Sequence, residues 1–122
     1  MVAPLLAVLV LAGLQQVQTR APEVPVLDAK LGGRCAADFL VTDAAGAPVY
    51  NAIIHVRVRY GAFGVKRADL EMGTDVTGRA RIEGLPNKAR PLSYDIRKDD
   101  RTAAAQQNVA DMCEAKLTVA LK

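Results

Sequence analysis

The sequence predicts an all-β fold, an antiparallel β-sandwich of about seven short strands. Three observations carry that expectation. Apolar residues recur at every second position in a series of short segments. Asp-to-Gly turns separate those segments. Aromatics make up only 4% of the chain and Trp is absent, so the core must rest on Val, Ile and Leu, which suit a pleated surface.

The chain opens on an uncharged run, Val2 to Leu14, "VAPLLAVLVLAGL". Coiled as a helix, a run of that length reaches roughly 20 Å, short of the roughly 30 Å hydrocarbon core of a bilayer. It suits the hydrophobic segment of a signal peptide better than a membrane span. A basic segment ahead of it is missing, and Leu14 stands where a lipobox needs Cys. Three readings stay open: a cleaved signal, a retained anchor or complex-embedded helix, and a buried helix of the soluble domain. Residues 1–18 are assigned to a signal peptide or membrane anchor, through which any membrane contact would run. Residues 19–34, broken by Pro22, Pro25, Gly32 and Gly33, read as an extended linker. Residues 35–122 are the expected sandwich, one small domain.

Within it, Phe39–Thr42 is a short apolar run closed by the turn Asp43-Ala44-Ala45-Gly46. From Ile53 to Tyr60, Ile54, Val56, Val58 and Tyr60 point one way, and His55, Arg57 and Arg59 the other. Gly61 to Gly64 breaks the pattern, and Val65–Met72 resumes it with Ala68, Leu70 and Met72 on one face. The turn Thr74–Gly78 leads into Arg79–Glu83, where Ala80 and Ile82 alternate with charged neighbours. Leu92, Tyr94 and Ile96 mark the next strand, and Leu117, Val119 and Leu121 the last. Thr102–Ala110, "TAAAQQNVA", is ambiguous. Helix formers follow a Thr that could cap them, and a strand over Gln107–Glu114 competes.

The blocks "FLVTDAAGAPVYNAIIHV", "GTDVTGRARIEGLP" and "YDIRK" resemble the carboxypeptidase regulatory-like domain, an Ig-like, transthyretin-like (prealbumin-like) β-sandwich. Val41, Asp43, Gly46, Pro48, Val49 and Ala52 carry the first match. Thr74, Asp75, Gly78, Ala80, Ile82, Leu85 and Pro86 carry the second. The resemblance covers about Cys35 to Lys122 and implies a scaffold, since fold alone does not give function. Hydroxyisourate hydrolases and intradiol dioxygenases share related folds, but the first need several histidines and the second two histidines with two tyrosines around iron, and His55 is the only histidine here.

Chemistry is sparse elsewhere. A lone outward His55 has no Cys or carboxylate cluster of metal-ligand spacing near it in sequence. Ser93, the only serine, lacks a base partner. "GAFG" and "LGG" lack the Lys and Ser/Thr of a phosphate loop. Asp99-Asp100 is too small an oxygen set for calcium. No catalytic residue, cofactor or metal ligand is assigned, and the chain is read as a non-enzyme.

Two features point to use. Cys35 and Cys113 are an even pair without metal-binding spacing, behind a segment that suggests export. In a sandwich of this kind the first and last strands can come close, so the two are expected to form a disulfide. Arg57 and Arg59 share one strand face, and Arg79 and Arg81 another. Should these strands share a sheet, the four guanidiniums form a basic stripe flanked by Lys66 and Arg67. Such a stripe suits an acidic partner surface; on a plain solvated face it would guard the edges against aggregation. With a net charge of +3 and few aromatics, nucleic acid is not expected as a partner. The sequence therefore reads as an exported accessory module, periplasmic or extracellular, that binds another protein or a membrane complex.

Overall fold

A computed structural model describes residues 23–122; the run Val2–Leu14 and the expected signal or anchor lie outside them. Eight strands follow in order: β1 (Val26–Asp28), β2 (Cys35–Thr42), β3 (Ile53–Tyr60), β4 (Lys66–Gly73), β5 (Arg79–Leu85), β6 (Leu92–Lys98), β7 (Arg101–Gln107) and β8 (Glu114–Ala120). They form two four-stranded sheets, ordered β1-β5-β2-β8 and β4-β3-β6-β7. The fold is thus the all-β sandwich the alternation predicts. It is not wholly antiparallel: β1 runs parallel to β5, and β2 parallel to β8.

The inward faces are those the sequence marks. Ile54 and Val56 on β3 pair with Ile96 and Tyr94 on β6, and these four are buried together with Val58 and Leu92. Phe39, Val41, Ala80 and Ile82 close the core from the other sheet. Phe39 meets the Tyr94 ring edge-on, with centroids 4.8 Å apart and planes at 77°. Deep burial pushes the Tyr94 hydroxyl above its ordinary pKa.

The two Asp-to-Gly turns are built alike. Asp43 Oδ1 accepts hydrogen bonds from the amides of Ala45 and Ala47, and Asp75 Oδ1 from those of Thr77 and Arg79. The amides of Gly46 and Gly78 donate to the carbonyls of Asp43 and Asp75. Gly78 adopts φ 76°, and a Cβ there would stand 2.5 Å from the Val41 carbonyl, so only glycine fits. The adjoining Thr74 is buried; its hydroxyl donates to the Val49 carbonyl and accepts from the Ala52 amide.

Two expectations are corrected. Part of the expected linker, Val26–Asp28, adds a short strand to the edge of β5. The ambiguous segment is no helix: Arg101–Gln107 is a strand paired along its length with β6. Ala103 and Ala105 lie opposite Ile96 and Tyr94, where small side chains leave room for the large ones. The ladder overrides the helix preference of the isolated sequence. The competing strand over Gln107–Glu114 is absent too, because the amides of Asp111 and Met112 turn back to the Asn108 carbonyl.

Candidate interaction surface

One end of the sandwich gathers the starts of β2, β6 and β8, the ends of β3, β5 and β7, and the start of β4. Cys35 opens β2, and Cys113 immediately precedes β8. Because these strands are parallel neighbours, Ala36 sits opposite Glu114. The two cysteines therefore stand at the same height, with Cα atoms 4.5 Å apart, and form the expected disulfide.

Beside the disulfide lies a polar node that the sequence did not announce. Gln107 is buried at the end of β7. Its Oε1 accepts the Tyr94 hydroxyl at 2.7 Å, and its Nε2 donates to the carbonyls of Ala36, Met112 and Cys113. One side chain thereby ties β6 and β2 to the turn before β8. Every polar atom of the amide is used, as a buried group requires.

The predicted arginine stripe does not form. Arg57 and Arg59 lie on β3, and Arg79 and Arg81 on β5. Those strands belong to different sheets, so the pairs face opposite sides of the sandwich. Arg81 is also neutralised in place. Its Nε meets Glu83 at 2.8 Å, its Nη1 Asp38 at 2.8 Å, and its Nη2 Glu114 at 3.5 Å. The bonds to Glu83 and then Asp38 outweigh burial and hold the guanidinium firmly protonated.

On the other sheet the cations regroup. Arg57 is half-compensated by Asp69 at 3.3 Å. Arg59 is paired across the ladder with Arg67, and Tyr60 with Lys66. The Lys66 Nζ lies 6.0 Å from the Tyr60 ring centroid. Tyr60 also bridges to Ala89, which brings Lys88 and Arg90 to the same end. Arg90 packs against the Gly61–Val65 turn, its Nε 3.8 Å from where a Cβ of Gly64 would stand. A depression of about 410 Å³ lies between that turn and the 88–90 segment, with Arg59, Lys88 and Arg90 around it. Five of the sixteen Lys and Arg residues, and none of the thirteen acids, fall within residues 59–68 and 87–92. Asn87 fixes this second segment by accepting the Arg34 amide at 2.7 Å, close to Cys35.

His55 lies on the outward face of β3, with its Nε2 3.4 Å from Asp69 and Glu71 and Asp95 as cross-strand neighbours. Ser93 is exposed on β6, and Asp99 and Asp100 form the turn between β6 and β7. Among the described residues, no group of three or more His, Cys, Asp or Glu is placed to hold a metal ion.

Comparison with solved structures places the fold. The crystal structure of S. CueP superposes with a TM-score of 0.51 at 18% identity, covering 75% of this chain and 63% of that one. Catechol 1,2-dioxygenase from Pseudomonas arvilla C-1 gives 0.50 at 16% identity, over 74% of this chain and 42% of the enzyme. 3-Chlorocatechol 1,2-dioxygenase from Rhodococcus opacus 1CP gives 0.51 at 16%, over 88% and 70%. At such identities the likeness is one of fold. The chain spans less than two thirds of the length of CueP and of the Pseudomonas enzyme. No family profile matches the sequence, and no curated protein does.

Proposed function

We propose that this chain is a non-catalytic accessory module that docks its basic end onto an acidic surface of another protein or membrane complex. The observation that carries the reading is the Arg59–Arg67 pair. Two like charges stand as direct cross-strand partners, in segments that carry no acid. A strand pair chosen for stability alone would gain about 0.2–1 kcal/mol from opposite charges there. A standing repulsion of this kind favours a partner that supplies the missing anions.

The disulfide supports an oxidising, exported location, periplasmic or extracellular. The twin Asp-to-Gly turns support the finer kinship with carboxypeptidase regulatory-like and transthyretin-like sandwiches. The likeness to catechol dioxygenases does not extend the reading to an enzyme, because a single histidine cannot supply the two that the intradiol iron site needs. The depression of about 410 Å³ favours one second reading, a free exported domain that takes a small anionic ligand.

Arg59→Glu separates function from folding. The new carboxylate would face Arg67, so denaturant unfolding should show stability unchanged or raised by about 0.2–1 kcal/mol. Docking should weaken, and added salt should weaken it in the wild type. The readout is the set of proteins that accompanies each form in gentle purification from its native membrane or medium. A variant that is well folded and keeps the same companions at the same salt strength would sink the proposal.

A further inference from the structure

The turn at the basic end carries more than charge. Phe63 is 96% exposed and Val65 71%, the two most exposed large apolar side chains among the described residues. Phe63 also holds φ 59°, a left-handed backbone that costs an aromatic residue energy and is ordinarily left to glycine. Nothing in the core offsets that cost, since the ring touches almost nothing. Immediately behind this apolar crest stand the cations. Lys66 packs along Gly61, and Arg90 along Gly64. Arg59 and Lys88 line the adjoining depression.

From this arrangement we propose that the Gly61–Val65 turn seats Phe63 and Val65 in the headgroup layer of an anionic lipid membrane, with Arg59, Lys66, Lys88 and Arg90 as its contacts to the phosphates. The proposal rests on reading the basic end as a docking surface and names the surface it meets. An apolar crest backed by cations matches a membrane interface, where apolar groups enter the acyl boundary while positive charges stay among anionic headgroups. Nearby acids would spoil that match, and these two segments carry none. An acidic protein surface would satisfy the cations but leave the Phe63 crest uncovered.

The sequence contains no Trp, so Phe63→Trp in the full chain creates a single indole reporter at the crest. Val76→Trp is the companion, because Val76 is exposed in the Asp75–Gly78 turn at the opposite end. Each variant is first shown to melt like the wild type, then mixed with vesicles of phosphatidylcholine containing phosphatidylglycerol. Emission from the Phe63→Trp variant should move to shorter wavelength and be quenched by brominated acyl chains, with no response to phosphatidylcholine alone. The Val76→Trp variant should not respond. Adding Lys88→Gln and Arg90→Gln to the Phe63→Trp chain should weaken vesicle binding about thirtyfold, at about 1 kcal/mol for each cation near an anionic surface.

An unchanged spectrum of the Phe63→Trp variant overturns the proposal. So does an equal response from both variants, which would mean that the chain adsorbs through other residues. Polyglutamate serves as a protein-like anion. If polyglutamate binds the Phe63→Trp variant by titration calorimetry while the vesicles leave its emission unchanged, the membrane assignment falls and the basic docking end stands. If polyglutamate does not bind and the vesicles leave the emission unchanged, both fall.

Discussion

Opening the disulfide is best done at Cys113. Cys35 is buried at the head of β2, whereas Cys113 is exposed ahead of β8, so Cys113→Ser adds a hydroxyl where water already reaches. The bond spans a separation of 78 residues. On the chain-entropy account, closing a loop of that length constrains the unfolded chain by about 15 cal/mol/K, or about 4.5 kcal/mol at 25 °C. At about 4 °C or more per kcal/mol for a domain of this size, the melting temperature should fall by about 18 °C or more. Cys35→Ser should fall further, because it also places a hydroxyl in the core, at about 1–3 kcal/mol. Melting followed by circular dichroism would compare wild type, both variants and wild type with reductant. A Cys113→Ser curve within about 4 °C of the wild type, equivalent to about 1 kcal/mol, refutes the loop-entropy reasoning. Two freely reactive thiols in the denatured, unreduced wild type would refute the bond itself.

Gln107→Leu keeps the side chain's bulk but strands the Tyr94 hydroxyl and the carbonyls of Ala36 and Met112; urea unfolding should show a loss of about 3 kcal/mol or more, and a loss under about 1 kcal/mol would mean that other groups satisfy them. Asp75 gives a pH signature. Burial pushes its carboxyl up, but the Thr77 hydroxyl, the Arg79 and Thr77 amides and the Arg79 charge together bring it below the ordinary 3.8. A pKa lowered by folding adds stability that is complete above the unfolded value and is lost as pH falls below 3.8 through the folded value. Asp75→Asn should therefore cost about 1 kcal/mol at neutral pH, with the gap to wild type closing in acid. A gap that stays constant with pH would show that the charge is irrelevant to the turn.

Much of the fold was legible because its signals are local. The alternation of Ile54, Val56 and Val58 needs only the chain itself, and so do the Asp-to-Gly turns. The cysteines were legible because two thiols behind an export-like segment have few other uses. What failed was non-local. Which sheet a strand joins is decided by the path between strands, so the four-arginine stripe dissolved once β3 and β5 fell in different sheets. Thr102–Ala110 has no informative period, and its alanines favour a helix when read alone, a preference that only the non-local ladder with β6 overrides. Gln107 looks like one more polar residue of that segment, and only its place beneath Tyr94 reveals its role. The Phe63 crest did leave a trace. An aromatic between two glycines, with Arg59 and Lys66 on either side, is more than a strand break.

The pairing of β2 with β8 has a kinetic consequence. β2 is the first long strand and β8 the last, and each residue of that ladder waits for a partner almost eighty positions away, from Ala36 with Glu114 to Thr42 with Ala120. Contacts so distant in sequence slow folding, since the loop must close before the ladder forms. During synthesis β2 and β5 can pair early, but the other edge of β2 stays bare until β8 emerges. In that interval its open backbone can recruit a foreign strand. An early disulfide would hold β8 beside its berth and shorten the wait, so oxidative folding should raise the yield of this chain beyond what its equilibrium stability alone accounts for.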